Sequence, residues 1–299
     1  MKAVYTLADL EDRSLLDQGA KKPAKLAVIG FPIKHSASPQ MHQAALDALD
    51  IDARYIRVEV EPGKVGEAFA KMQALGFIGC NVTVPHKLEA MSLCDTLTED
   101  ATVLGAANTI HFTENGLIGH NTDGAGLSKA IHADFGKPLS ELRILLLGAG
   151  GGAGRAIATQ CAREKCKSLY LSNRTIEKLD PIVSSLEEIS DTTQFRKLSN
   201  QDGDLILAAA NVDLIINSTS LGLKDDDPLP IPAQAISASH LVYDAIYNPA
   251  ETKLFKQAKA NGAHTSNGLS MLLHQGALSF EMWFQQAPDI RLMQAALGR

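Results

Sequence analysis

Hydrophobic residues in this chain fall into short runs separated by stretches with helical spacing, and the alternation persists to the C-terminal region. "KLAVIG" (25–30), "ARYIRVEV" (53–60) and "FIGCNVTV" (77–84) read as strands. "SPQMHQAALDALD" (38–50) and "KVGEAFAKMQALG" (64–76) read as the helices between them, the second closed by Gly76. The same rhythm returns with "RILLLG" (143–148), "SLYLSN" (168–173), "VDLIIN" (212–217) and "HLVYDAIY" (240–247) as strands. "GLSMLLHQGALSFEMWF" (268–284) has the spacing of a buried helix. Strands alternating with helices predict an α/β protein with parallel sheets. Residues 1–23 precede the first of these strands, and Leu7, Leu10 and Leu15 near one face predict an appended amphipathic helix.

With 299 residues the chain has room for two cores, and 45% hydrophobic with 21% charged residues is ordinary for a globular protein. A net charge of −6 argues against a nucleic-acid or anionic-membrane partner. No apolar run approaches the roughly 18 residues that cross a bilayer. The acidic start "MKAVYTLADLEDRSLLD" carries no signal or transit pattern, so a cytoplasmic location is expected. Cys80, Cys94, Cys161 and Cys166 form no CxxC pair and read as packing residues. The nine histidines show no ligand spacing, so no metal is expected, and His35, His86 and His120 read as structural.

Chemistry enters at "LLLGAGGGAGRAIA" (145–158), where Gly148, Gly150 and Ala153 stand in GxGxxA register between a strand and a helix. Such a loop lets backbone N–H groups approach a pyrophosphate at a helix N-terminus. Gly148, Ala149, Gly150, Gly151, Gly152 and Ala153 are therefore candidate cofactor residues. An NAD site usually ends its second strand on Asp or Glu, for the ribose hydroxyls. Here that strand runs into "SNRTIEK" (172–178), whose Asn173, Arg174, Thr175 and Lys178 suit a 2′-phosphate instead. NADP(H) is the expected cofactor.

A second set of polar residues lies in the first half. In "GFPIKHSASPQMH" (30–42), Ser38 is the expected N-cap and Pro39 the first helical residue, with Ser36 two positions earlier. Two hydroxyls beside free helix N–H groups would hold a carboxylate. In "NVTVPHK" (81–87) a strand end delivers Thr83 and Lys87 together. Taken alone, Lys87 reads as a solvated lysine opening a helix, and Asp123 of "GHNTDGAG" as a turn residue. Combined with Asn108 of "GAANTI", they are the groups that would bind a polyhydroxylated acid and handle one proton beside a hydride-transfer cofactor.

From about residue 24 onward the chain resembles the shikimate/quinate dehydrogenase family. The motifs appear as "GFPIKHSASP", "NVTVPHK", "GAANT", "NTDGAG", "GAGGGAGRA", "NRTIEK", "YNPAETKL" and "GLSMLLHQG", in the family's order. The resemblance implies a substrate domain (24–125, completed by 270–299) and an NADP-binding Rossmann domain (126–269), with 1–23 an extension. It implies that Ser36, Ser38 and Tyr247 bind the substrate carboxylate, and that Thr83, Asn108, Asp123 and Gln275 bind the ring hydroxyls. Lys87 and Asp123 would be the catalytic pair, and Thr219 and Gly268 would join the cofactor residues, Gly268 facing the nicotinamide. The implied reaction is reversible reduction of 3-dehydroshikimate to shikimate with NADPH, by a monomer or homodimer. Two alternatives stay open: quinate or dual quinate/shikimate dehydrogenation, and a non-catalytic NADP-binding regulator. Ser38 and Asn173-Arg174 favour shikimate and NADP within the family, and the intact Lys87/Asp123 pair favours catalysis. Two departures stand out. The phosphate loop has one residue more before Arg155 than usual, and "NSTSLGL" (217–223) has Ser220 where the family has proline.

Overall fold

The computed structural model describes residues 2–298. It divides into two compact units, one running to Asp123 and resuming at Leu273, the other spanning Gly124–Leu272. Both changeovers fall inside helices, Asp123–Phe135 and Gly268–Phe284.

The first unit is built on a seven-stranded sheet. In chain order its strands are β1 (Tyr5–Thr6), β2 (Ala24–Gly30), β3 (Arg54–Glu59), β4 (Gly79–Val82), β5 (Thr96–Leu97), β6 (Thr109–Thr113) and β7 (Gly116–His120). They lie side by side as β1-β3-β2-β4-β6-β7-β5. The first four are parallel, but β6 runs antiparallel to β4 and to β7, so this sheet is mixed rather than parallel throughout. β4 is buried at every position, including Asn81, because the sheet is covered on both faces. Asn81 therefore faces protein rather than water and has to find partners there. The helix Ile290–Ala296 packs on the helix Ser38–Ala48 within this unit.

The extension departs from the amphipathic helix expected of it. β1 pairs with β3, a 3-10 turn covers Leu7–Glu11, and a one-turn helix covers Arg13–Asp17. Leu10 and Leu16 are buried in the core with Tyr5, whereas Leu15 is 47% exposed. The chain reverses within a few residues, so 3.6-residue periodicity does not decide which leucine points inward. Arg54 ties the segment down, its Nη2 donating to the Leu16 carbonyl at 2.5 Å and its Nη1 to the Tyr5 hydroxyl at 3.2 Å.

The second unit carries β8 (Arg143–Leu147), β9 (Ser168–Ser172), β10 (Gln194–Leu198), β11 (Leu214–Asn217), β12 (Leu241–Asp244) and β13 (His264–Asn267). All six are parallel, in the order β10-β9-β8-β11-β12-β13. Counting within this sheet the order is 3-2-1-4-5-6, the doubly wound arrangement that binds dinucleotides where the order reverses. The reversal lies between β8 and β11. β8 is almost entirely Leu and Ile because helices cover both its faces.

Candidate active site

In the first unit the end of β4 delivers the chain to the site. Thr83 continues the pairing by donating its N–H to Ile29, and a side chain at Gly30 would come within 2.6 Å of the Thr83 methyl. Glycine at position 30 is what lets the two strand ends lie this close. After the turn at Pro85, the buried His86 ring bonds the Val60 carbonyl through Nε2 at 2.7 Å. Glu89 accepts the N–H groups of Gly63 and Val65. These bonds fix the short helix Lys87–Ser92, whose first residue is Lys87.

Lys87 Nζ donates to Asp123 Oδ2 at 2.7 Å, and Asn108 Nδ2 donates to the other carboxylate oxygen, Oδ1, at 2.9 Å. The Asp123 N–H in turn donates to Asn121 Oδ1, which sets the start of its helix. Asn108 Nδ2 also reaches Gln275 Oε1 at 3.4 Å. Lys87, Asp123, Asn108 and Gln275, read as separate candidates in the sequence, are one hydrogen-bonded group. Lys87 keeps 32% of its side chain exposed against 13% for Asp123, so the ammonium is the member that a ligand can reach.

Below this group lies a polar layer that the sequence reading missed. Asn108 Oδ1 accepts from the Thr122 N–H and the Thr109 hydroxyl, and Thr109 bonds Ser279 at 2.8 Å. Asn81 donates to Thr109 and Ser279 and accepts from Tyr55 Oη at 2.7 Å. Asn81, Asn108, Thr109, Thr122 and Ser279 are each at most 5% exposed, and satisfied polar groups in such a place give a rigid floor. Asn81, Thr109 and Thr122 lie inside the "NVT", "ANT" and "NTD" motifs and could have been found there. Ser279 is 170 residues away from Thr109 and carries no local signal.

Ser36 and Ser38 are bonded to each other, Oγ to Oγ, at 3.2 Å. Ser38 is not the N-cap. It is the first residue of its helix and Ala37, the cap, offers no side-chain bond, so the Ser38 N–H donates instead to Ser36 Oγ at 3.4 Å. The Ser38 hydroxyl is thus free of the capping role expected of it, because the chain turns one residue earlier. Tyr247 follows β12 in the second unit, half-buried, and burial raises its phenol above the usual range.

In the second unit a cavity of about 460 Å³ opens at the strand-order reversal. Gly148, Gly150, Gly151, Asn173, Arg174, Thr175, Lys178 and Thr219 line it. So do Ser172, Asn200, Ser218, Ser220 and Leu221, which the sequence reading had not assigned. Ala149, Gly152, Ala153 and Gly268 are not in this wall. Ala149 is buried in the core, and Gly268 packs against the Ala245 carbonyl, where a side chain would come within 2.1 Å.

The loop also corrects the GxGxxA register. Gly148 has φ +83°, the helix starts at Gly152, and a side chain at Gly154 would meet the Gly148 carbonyl at 2.3 Å. Close helix–loop contact is the task of the third glycine in such a loop. Gly154 performs it and Ala153 is exposed, so the working spacing is GxGxxxG. The extra residue before Arg155 is accommodated by this shift.

Thr219 is held from behind. Asn217 Oδ1 accepts from both the N–H and the hydroxyl of Thr219, while Asn217 Nδ2 donates to Asp244 at 3.0 Å. Asp244 also accepts from the Thr252 hydroxyl at 2.5 Å, and burial raises its pKa above the ordinary carboxylate value. The cavity wall fits NADP. Its backbone glycines leave room for a pyrophosphate, Arg174 and Lys178 supply cations, and among the described residues no carboxylate lines it to repel a 2′-phosphate. Among the described residues no cluster of His, Cys, Asp or Glu is suited to a metal, and no helix is long and apolar enough to cross a membrane.

Comparison with known proteins places the chain in a family. Residues 28–110 match the shikimate dehydrogenase substrate binding domain, and residues 268–297 match the shikimate 5′-dehydrogenase C-terminal domain. A shikimate dehydrogenase (NADP(+)) of Geobacillus kaustophilus is 41% identical over 89% of this chain and 95% of its own length. That of Methanococcus aeolicus is 38% identical over 92% of this chain and 97% of its own. The crystal structure of the Thermus thermophilus shikimate 5-dehydrogenase, in complex with NADP(H) and shikimate, superimposes with a TM-score of 0.82. It is 32% identical and covers 92% of this chain and 99% of its own. The chain belongs to the shikimate dehydrogenase family.

Proposed function

We propose that Lys87 and Asp123 are the catalytic pair of the reaction this family performs: reversible, NADPH-dependent reduction of 3-dehydroshikimate to shikimate. The observation that carries the assignment is the 2.7 Å bond between Lys87 Nζ and a carboxylate that Asn108 holds from its other side. When bound, the nicotinamide supplies the hydride for the ring carbonyl carbon. Lys87 supplies the proton to the carbonyl oxygen and takes it back in the oxidative direction. Asp123 holds the ammonium in place and accepts from a ring hydroxyl. Asn108 is locked by Thr122 and Thr109, so the pair does not have to reorganise when substrate arrives.

Thr83 and Gln275 complete the ring-hydroxyl contacts, and Ser36, Ser38 and Tyr247 take the carboxylate. Gly148, Gly150, Gly151, Asn173, Arg174, Thr175, Lys178 and Thr219 hold NADP, with Arg174 and Lys178 on the 2′-phosphate. Ala149 and Gly152 contribute backbone to the same loop. An absorbance assay at 340 nm with shikimate or quinate, each with NADP⁺ or NAD⁺, tests the reading. Shikimate with NADP⁺ should give the highest kcat/KM. Faster turnover of quinate with NAD⁺ would move the substrate assignment, and no turnover in any pairing would make the chain a cofactor-binding regulator.

A further inference from the structure

The loop that carries Ser36 is clamped from the sheet by two residues of β3 that share a face. Glu59 Oε2 accepts the Ile33 N–H at 3.3 Å. Two residues back, Arg57 donates twice to the Ser36 carbonyl, from Nε at 2.9 Å and Nη2 at 2.6 Å. The same Nη2 reaches Gln40 Oε1 at 3.0 Å, in the first turn of the helix that Ser38 opens. One guanidinium thus holds the loop residue two positions before the helix and the first turn of the helix together. The peptide unit is planar and trans, so fixing the Ser36 oxygen also fixes the Ala37 N–H, which points the opposite way.

The two serine hydroxyls are neutral, and Arg57 is the cation bonded directly to their loop. A charge-assisted bond to the Ser36 carbonyl polarises that peptide in the sense that makes its N–H a better donor to an anion. We propose that Arg57 is the positioning residue of the substrate-carboxylate pocket. It sets the Ser36–Ser38 loop for an anion and makes that pocket prefer a carboxylate to a neutral group of the same shape. This inference rests on the reading that Ser36 and Ser38 bind the carboxylate. The competing view is that Arg57 merely ties β3 to a loop.

The experiment compares shikimate with its carboxamide, in which the charge is removed and the shape kept. Kinetics are followed for wild type, Arg57→Ala, Arg57→Lys and Ser38→Ala, each checked by thermal melt. Arg57→Ala should raise the KM for shikimate by ~10–100-fold, the range of a hydrogen bond to a charged group. The kcat and the KM for NADP⁺ should stay within about threefold, well inside the spread of one such bond. The carboxamide KM should barely move, so the preference for carboxylate collapses, and Arg57→Lys should recover part of it. Equal weakening of both substrates in Arg57→Ala, or in Arg57→Lys if the alanine variant does not fold, would reduce Arg57 to a structural tie. If Ser38→Ala abolishes the carboxylate preference and Arg57→Ala leaves it intact, this inference alone fails. If Ser38→Ala leaves the preference at its wild-type value, the underlying assignment of the serines fails first.

Discussion

Asp123 and Arg174 are both charged residues at a candidate site, but their surroundings differ sharply. Asp123 is 9% exposed and its carboxylate is held on both oxygens, by Lys87 and by Asn108, above a floor of buried Asn, Thr and Ser side chains. Arg174 stands in the open with Thr175 on the loop after β9, and Lys178 is exposed in the 3-10 turn that follows. The first arrangement is preorganised: its polar groups have already been desolvated and oriented during folding, which suits a step whose rate depends on alignment. The second leaves its cations hydrated until a phosphate arrives, which suits selection between cofactors. A substitution in the first place should therefore change turnover, and in the second it should change cofactor preference with little effect on the fold.

The largest effect is expected at the first. Lys87→Met should lower kcat by roughly 10²–10⁴-fold, the value of a positioned acid–base group. The KM for shikimate should change far less, because Ser36, Ser38, Thr83 and Asn108 remain. Asp123→Asn should also lower kcat, and the double variant should lose much less than the product of the single losses, since the two residues act as a unit. A folded Lys87→Met protein turning over at close to the wild-type rate would put Lys87 back among the solvated surface lysines.

The comparison also shows what was legible in the sequence. Lys87, Asp123 and Asn108 could be found because each sits at a strand or helix end, where a short motif fixes its position. The strand–loop–helix context around Gly148 was legible for the same reason. What escaped depended on contacts between distant segments. Ser279 joins Asn81 and Thr109 only through the fold. The β6–β7 hairpin, by contrast, was legible: Ile110 and Phe112 alternate with polar residues up to the turn at Glu114-Asn115-Gly116. The choice between Ala153 and Gly154, and between Leu15 and Leu16, turned on one residue of register. Sequence periodicity does not resolve that when a loop is lengthened or a helix is only one turn long.

The extension offers a control in which the fold is damaged and the chemistry spared. Leu16 is fully buried among Tyr5, Leu10 and the β3 side chains, so Leu16→Ala should cost about 2–5 kcal/mol of stability. Removing residues 1–23 deletes three core side chains and should cost more. Neither change touches Lys87, so kcat at a temperature where the protein is folded should hold. Chemical denaturation paired with single-temperature kinetics separates the two. A hundredfold loss of turnover in folded Leu16→Ala protein would mean that the extension reaches the active site.

At the exposed cofactor edge, Arg174→Ala should raise the KM for NADP⁺ by ~10–100-fold, the range of a lost charge-assisted bond. The KM for NAD⁺ should hardly change, and stability should stay within about 0.5 kcal/mol because the side chain is exposed. Equal effects on both cofactors would make Arg174 structural and would erase the contrast with Asp123.

The last effect concerns pH and extends the contrast from the sites to the units that carry them. In the first unit His42 is fully buried, stacked on Tyr55 with ring centroids 4.4 Å apart, and neither ring nitrogen has a hydrogen-bond partner among the described residues. Desolvation lowers its pKa from 6.5 to about 3, so the folded ring stays neutral. Between those values the unfolded chain binds a proton that the native state refuses. Stability is therefore lost as pH falls below 6.5, by at most about 1.4 kcal/mol per unit of pH. Asp244 in the second unit has the opposite sign. Its folded pKa is raised by burial, so the native state takes up a proton before the unfolded chain does, and acidification there relieves a cost. Denaturation midpoints between about pH 7 and 4.5 should fall in wild type. They should fall less steeply in His42→Phe, which keeps an aromatic ring against Tyr55 and removes the titration. The slope is the quantity to compare, because Phe also changes the packing at every pH. Identical slopes would show that His42 does not govern the acid response.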